Sequence, residues 1–288
     1  MRGARGPLLM GQACRCAVLG RPIAHSLSPA MHRAAYAALG LDWQYDAYEV
    51  DEHELEGFLR TLGDDVRGLS LTMPLKRVAL ELVDTVDPVA QLIGAANTML
   101  FEPDGTRSAH NTDVPGLVAA FAERGITRAD TAVVLGGGAT AASTLAALRG
   151  LQVSEVTLVV RDVSKVDRLR DLAAELGLRA SVATFDQVEQ IGGYDLCVST
   201  LPGGAVDPWA EHFAAVAPVV FDVAYHPWPT QLALVSHRIG TELLNGLDLL
   251  VHQASLQVEM MTGRSPAPLA VMRAAALEEL AEREHSAG

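Results

Sequence analysis

The residues with the clearest chemical content are a run of glycines closing a β-like stretch. Residues 132–135 (A-V-V-L) lead into Gly136-Gly137-Gly138-Ala139-Thr140-Ala141, a G-x-G-x-x-A turn, and then into a helical pattern reaching Leu148. Glycine lets the backbone turn tightly and approach a pyrophosphate, while the helix behind it offers unpaired N–H groups and the positive end of its dipole. Glycine-rich turns also occur without ligands, so the flanking strand and helix are what make this a dinucleotide-binding pattern. The end of the next strand selects the cofactor. A carboxylate there suits the ribose 2′-hydroxyl of NAD, and a cation suits the 2′-phosphate of NADP. This chain has Val160-Arg161-Asp162, with Lys165 one turn on. Arg161 and Lys165 favour NADP. Asp162 repels a phosphate unless it points away or caps the following helix, and it keeps NAD open as the alternative.

A second set of polar residues lies at strand ends and loop mouths in the first part of the chain. Ser26 and Ser28 occur in H-S-L-S-P before a helical pattern. Alternate hydroxyls beside a helix N-terminus can hold a carboxylate, and Ser28 also suits an N-cap followed by Pro29. Lys76 follows T-M-P-L after a β-like run; a lysine there can be fixed in a cleft, although such a residue is more often a surface charge. Asn97 interrupts a small apolar run in G-A-A-N-T, and Asp113 lies in N-T-D at the inferred domain junction, where clefts form. His25, His110, His226 and His252 adjoin these motifs without H-E-x-x-H spacing, and His25-Ser26 lacks a G-x-S-x-G elbow, so neither a metal site nor a serine hydrolase is expected.

These side chains need a scaffold of alternating strands and helices. Strands are expected at 16–20, 44–50, 67–73 and 132–135, then at 156–160, 180–183, 196–199 and 219–223. Helices are expected from Ser28 towards Gly40, over 51–62, through Phe121, up to Leu148, over 164–176, and as two long stretches after Gly246, the second opened by Pro268. E-P-D-G between 95–101 and 106–110 predicts a hairpin. The fold class is α/β with two domains: a substrate domain of residues 14–112 plus 246–288, and a doubly wound Rossmann-type domain of 113–245. Residues 1–13 are expected to form a flexible leader. Gly116 and Gly246 are hinge candidates near the crossings.

Composition narrows the function. The 288 residues carry a net charge of −13, with 49% apolar and only 5% aromatic residues. Its only basic clustering, Arg2, Arg5, Arg15 and Arg21, reads as a leader rather than an arm that neutralises nucleic-acid phosphates, and the aromatic platforms that stack single strands are lacking. The one long uncharged run, 131–148, contains three consecutive glycines, so no membrane span is expected. Cys14, Cys16 and Cys197 are sparse and odd in number, which fits small core residues in a reducing cytoplasm.

Taken together and in order, H-S-L-S-P, L-T-M-P-L-K, G-A-A-N-T, N-T-D, the glycine turn, D-V-A-Y-H-P and N-G-L-D-L-L-V-H-Q-A resemble the shikimate dehydrogenase family over about residues 16–275. The resemblance implies reversible NADP-dependent reduction of 3-dehydroshikimate to shikimate, in chorismate and aromatic amino acid biosynthesis. It implies that Ser26 and Ser28 bind the substrate carboxylate with Tyr225 nearby. Thr72, Asn97, Asp113 and Gln253 would contact ring hydroxyls, and Lys76 with Asp113 would form the catalytic pair. Gly136 to Ala141 (with Gly137, Gly138, Ala139 and Thr140), Arg161, Asp162, Lys165, Thr200, Leu201 and Gly246 would serve the cofactor. Three positions depart from the family pattern. Ser70 replaces a frequent Asn and is expected to alter strand packing only, V-R-D replaces N-R-T, and Ala139 replaces a frequent Gly. The alternatives are an NAD-dependent quinate/shikimate dehydrogenase and a non-catalytic ligand sensor on the same scaffold. Small-molecule substrates are the expected partners, with a monomer or homodimer both compatible.

Overall fold

The first apolar run becomes an inner strand of a mixed sheet. In the computed structural model, which describes residues 13–287, β1 spans Cys14–Gly20, α1 Ser28–Ala38, β2 Trp43–Glu49, α2 Leu55–Thr61 and β3 Val66–Leu71. They are followed by β4 (Thr85–Val86), α3 (Pro88–Ile93), β5 (Thr98–Phe101) and β6 (Arg107–His110). The sheet order is β2-β1-β3-β5-β6-β4. The β1/β2 and β1/β3 pairs are parallel, and β5 runs antiparallel to β3 and β6. The expected hairpin is present, closed by Glu102 N–H to Thr106 O at 2.9 Å, with Gly105 at a left-handed φ of 87°. Its first strand starts only at Thr98, because 95–97 follows a helix that periodicity alone did not indicate. That helix, α3, has strong local signals: the Asp87 carboxylate caps Val89 and Ala90, proline occupies the first turn, and Gly94 closes it at φ 65°.

The second unit opens with α4 (Asp113–Glu123), then β7 (Thr131–Leu135), α5 (Ala139–Gly150), β8 (Glu155–Val160), α6 (Asp167–Glu175) and β9 (Arg179–Thr184). It continues through β10 (Leu196–Ser199), α7 (Ala210–Ala215), β11 (Val219–Asp222), α8 (Gln231–Ile239) and β12 (Glu242–Asn245). All neighbours are parallel, in the order β12-β11-β10-β7-β8-β9. This is the doubly wound arrangement, whose order reverses between β7 and β10. Strand β12 and helices α7 and α8 were not expected from the sequence. Two helices end the chain: α9 (Gly246–Thr262) and α10 (Leu269–Ala287), the latter packing on α1.

The chain divides into two compact units, one ending at Thr112 and resuming at Val251, the other being Asp113–Leu250. The first turn of α9 thus belongs to the second unit rather than beginning the return. Asn245 and Asp248 cap each other reciprocally there, and Arg124 reaches Asp248 at 3.5 Å. The leader expected over 1–13 lies, except for Ala13, outside the described residues. All three cysteines are buried. Among the described residues no helix is long and apolar enough to cross a membrane, and no three His, Cys, Asp or Glu side chains gather as metal ligands.

The first core includes a polar histidine. His32 is fully buried, stacked on Tyr45 at a 4.0 Å centroid distance, with Nδ1 3.4 Å from the Tyr36 hydroxyl. Burial pushes its imidazole down to about 3, with the side chain of Gln257 opposing. An unfolded histidine titrates near 6.5, so the folded state binds fewer protons between pH 6.5 and 3, and stability falls as pH drops through that window. Between pH 7 and pH 5 the loss from this group is about 2 kcal/mol. Urea unfolding at both pH values checks it. His32→Phe is expected to shed that share of the pH dependence, and equal dependence in variant and parent would refute the assignment.

Candidate active site

Strand register brings the polar motifs of the first unit to one end of its sheet. Leu19 pairs with Leu71, so β1 and β3 finish side by side, and the Leu71 N–H donates to Asn97 O at 2.8 Å. The loop carrying Ser26 and Ser28 follows β1, Thr72 and Lys76 follow β3, and Asn97 precedes the antiparallel β5. Gly20 permits this crowding: a Cβ there would lie 2.3 Å from Thr72 Cγ2 and 2.9 Å from Met73 O. Thr72 is fixed at both ends of its backbone, its N–H donating to Leu19 O (2.9 Å) and its carbonyl accepting from Leu75 N–H (2.8 Å). Half-buried Lys76 accepts the Ala96 N–H on its carbonyl at 2.7 Å, which couples it to the residue beside Asn97.

At this end lies a buried amide cluster. Asn97 is 2% exposed and Gln253 7%. Asn97 Nδ2 donates to Thr112 Oγ1 (2.9 Å) and to Gln253 Oε1 (3.2 Å), while its Oδ1 accepts the Thr112 N–H (2.8 Å) and the Thr98 hydroxyl (3.0 Å). The structure therefore joins two predicted site residues 156 positions apart. Thr112, which bridges them, was not singled out, although it stands inside N-T-D. Ser28 is not the N-cap that its place before Pro29 suggested. It is the first residue of α1, with Leu27 at the cap position, and Ser26 Oγ accepts the Ser28 N–H at 3.3 Å. The hydroxyl serving this helix start is thus that of Ser26, two residues earlier, because the chain enters the helix at Ser28 itself.

The other predicted substrate residues, Asp113 and Tyr225, belong to the second unit. Asp113 opens α4 and is 5% exposed. Tyr225 is half-buried in the loop after β11. Asp222 anchors that loop, accepting the Thr230 hydroxyl (2.7 Å) and the Ala224 N–H (3.2 Å). Burial raises the Asp222 carboxyl, with the Thr230 bond opposing.

The glycine turn joins β7 to α5 as its motif requires. Gly136 has φ 115°, and a Cβ there would lie 2.4 Å from Thr200 Oγ1 and 3.2 Å from Leu201 Cδ2. Thr200 is held by its hydroxyl and its N–H on the Leu135 carbonyl, at 2.8 and 2.9 Å. Gly137 and Gly138 differ: a Cβ would make only ordinary contacts at Gly137 and meet nothing within 4 Å at Gly138. Packing within the protein does not demand glycine at these two positions, whereas close approach of a pyrophosphate does. Gly138 is the α5 cap residue without a side-chain cap, Ala139 and Thr140 start the helix half-buried, and Ala141 is buried. Gly246 meets a packing constraint instead, since a Cβ would lie 2.0 Å from Val223 O.

A cavity of about 420 Å³ is lined by Arg161, Thr184, Phe185, Asp186, Leu201 and Trp209, among others. Exposed Arg161 is its one basic residue. Lys165 does not line it and lies 3.6 Å from Asp162 Oδ2. Asp162 caps a short 3-10 turn, accepting the Ser164 N–H (3.0 Å) and hydroxyl (2.6 Å), and these bonds with the Lys165 charge lower its carboxyl. The expected 164–176 helix is therefore split, with α6 beginning at Asp167. Asp186 was not anticipated, as no motif surrounds it.

Comparison with known proteins fits this geometry. The family model described as the shikimate dehydrogenase substrate binding domain matches residues 18–99, and that of the shikimate 5′-dehydrogenase C-terminal domain matches 246–277. A shikimate dehydrogenase (NADP(+)) of Thermus thermophilus is 37% identical over 266 residues, 91% of this chain and 97% of its own. The crystal structure of a shikimate 5-dehydrogenase from Mycobacterium fortuitum is 42% identical, with a TM-score of 0.82 over 93% of this chain and 99% of that one. That of a Thermus thermophilus shikimate 5-dehydrogenase in complex with NADP(H) and shikimate is 34% identical, with a TM-score of 0.81 over 92% and 99%. With such identity along nine-tenths of its length, this chain belongs to the shikimate dehydrogenase family.

Proposed function

We propose that this chain is an NADP-dependent shikimate dehydrogenase, an oxidoreductase that reversibly reduces 3-dehydroshikimate to shikimate in chorismate and aromatic amino acid biosynthesis. The observation that carries the proposal is the buried Asn97–Thr112–Gln253 cluster at the sheet end that also bears Ser26, Ser28, Thr72 and Lys76. Such a cluster has the complementary donors and acceptors that a polyhydroxy ring needs.

Bound NADPH supplies the hydride. As the ring carbonyl is reduced, negative charge grows on its oxygen; the Lys76 ammonium stabilises that oxygen and gives it a proton, and in the reverse direction the neutral amine takes the proton back. Asp113 orients the lysine and a ring hydroxyl, which lowers the barrier through geometry. Ser26 and Ser28, with Tyr225, hold the carboxylate. Thr72, Asn97 and Gln253 hold the hydroxyls. Gly136 to Ala141 receive the pyrophosphate, Arg161 the 2′-phosphate, and Thr200 and Leu201 the ribose and nicotinamide side. Lys165 and Gly246 are retained as cofactor positions. The Asp162 carboxylate is committed to Ser164 and Lys165, which removes the main support for NAD. The enzyme works in the cytoplasm, as a monomer or homodimer on small-molecule substrates.

An absorbance assay of reduced-cofactor formation tests the reading, offering shikimate or quinate with NADP⁺ or NAD⁺. Fast turnover is expected only with shikimate and NADP⁺. Comparable rates with quinate or NAD⁺ would replace it by the quinate/shikimate reading, and nucleotide binding without turnover would favour the sensor. In the same assay Arg161→Ala is expected to raise KM for NADP⁺ about tenfold or more, the scale of a lost charge-assisted contact, leaving NAD⁺ kinetics unmoved. Parallel changes with both cofactors would remove Arg161 from its role.

A further inference from the structure

Ser70, the position where the family often carries Asn, sits at the middle of a buried hydrogen-bond chain that reaches the substrate end of the sheet. The Tyr45 hydroxyl lies 2.5 Å from Ser70 Oγ, Ser70 Oγ lies 2.7 Å from Gln257 Oε1, and Gln257 Nε2 lies 3.0 Å from Asn97 O and 2.9 Å from Thr98 Oγ1. Tyr45, Ser70 and Gln257 are 0, 4 and 1% exposed. Tyr45 also bonds the Ser28 hydroxyl. This corrects the expectation that Ser70 affects strand packing alone.

The hydrogens along the chain have one consistent direction. A backbone carbonyl only accepts, so Gln257 must present Nε2 to Asn97 O, and its Oε1 then faces Ser70. Ser70 therefore donates to Gln257 and accepts from Tyr45, whose phenol burial pushes well above its usual range and keeps protonated. On the other branch Thr98 Oγ1 accepts from Gln257, so it donates to Asn97 Oδ1. With Oδ1 also taking the Thr112 N–H, the Asn97 amide has one orientation, and its Nδ2 must meet Gln253 Oε1. The Gln253 amide is set in turn, with its Nε2 end away from Asn97.

We propose that Tyr45, Ser70 and Gln257 are positioning residues that, through Thr98 and the Asn97 carbonyl, hold the Asn97 and Gln253 amides in the orientation the Thr112 N–H selects, and hence support the hydroxyl recognition of this enzyme. The inference rests on the shikimate reading above. Its residues are buried behind the site, and they act through Asn97 rather than by touching substrate.

Steady-state kinetics of Ser70→Ala and Ser70→Thr test it, with folding checked by circular dichroism. Ser70→Ala removes the hydroxyl that Tyr45 and the Gln257 carbonyl share and leaves the Gln257 amide held from its Nε2 end. It is expected to raise KM for shikimate about tenfold or more, with KM for NADP⁺ within about twofold. Ser70→Thr keeps the hydroxyl and is expected to restore most of the loss. If Ser70→Ala does not fold, Gln257→Met, close in volume but without the amide, is expected to give the same selective rise. Folded variants with unchanged shikimate KM, a proportional change for both substrates, no rescue by threonine, or folding lost in both disruptive variants would each overturn the proposal. A parent chain that neither oxidises nor binds shikimate would instead fail at the level of the function, and the inference would fall with it.

Discussion

Lys76→Ala is expected to lower turnover of shikimate with NADP⁺ by about 10²-fold or more, the scale of a lost acid/base group, with a much smaller effect on KM. The split follows from what the lysine does. Its proton moves only as the carbonyl–alcohol interconversion proceeds, so the contact strengthens in the transition state and is weak in the bound substrate. The surroundings keep the variant folded. Lys76 is half-buried, and one of its ties to the sheet, the Ala96 N–H on its backbone carbonyl at 2.7 Å, is preserved by alanine. Lys76→Met, similar in length, is expected to be as inactive, separating loss of the ammonium from loss of side-chain volume. Turnover near that of the parent in either variant would remove Lys76 from the mechanism, and a rise in KM with unchanged kcat would make it a binding residue only.

The largest expected effect on stability comes from one methyl group at the start of α9. Gly246→Ala would place a Cβ 2.0 Å from Val223 O, 2.6 Å from Val223 C and 3.1 Å from Ala224 C. All three are backbone atoms, so no rotamer change relieves the overlap. The junction of β12 and α9 must move away from the loop after β11, which strains the Gly246 N–H bond to Ala224 O at 3.2 Å. The same loop carries Tyr225 and is anchored by Asp222. A cost of at least about 3 kcal/mol is expected, at the upper end for overpacking. Scanning calorimetry checks it against Gly57→Ala, where a Cβ meets nothing within 4 Å inside α2 and alanine is expected to stabilise slightly. Equal melting temperatures for the two variants would show that the 223–224 backbone yields without cost. Gly246 was expected from sequence as a cofactor position and a hinge candidate; close packing gives a sufficient reason for glycine there.

Features legible in the sequence were those set by neighbours along the chain. The turn from Gly136 to Ala141 between strand and helix is local, as is the E-P-D-G hairpin, and each depends on one glycine at positive φ, Gly136 and Gly105. Alternating apolar runs gave the α/β class, because strand burial and helix amphipathicity have different periods. Short elements were missed where the run of apolar residues was too brief to show a period, as for α3, α7, α8 and β12, although Asp87, Pro88 and Gly94 marked the first of these.

By itself, the sequence determined the doubly wound nucleotide scaffold, the order of the polar motifs and the residue types that acid/base and anion chemistry require. Only the tertiary structure decided which of those groups meet, and what holds them. Asn97 and Gln253, like Tyr45, Ser70 and Gln257, are brought together by strand register and by the return of α9, and no local pattern encodes contacts between residues up to 187 positions apart. The direction of Asp162, towards Ser164 and Lys165, was likewise undecided by its identity, because a carboxylate at a strand end can cap a turn or bind a ribose equally well until the backbone that follows chooses between them.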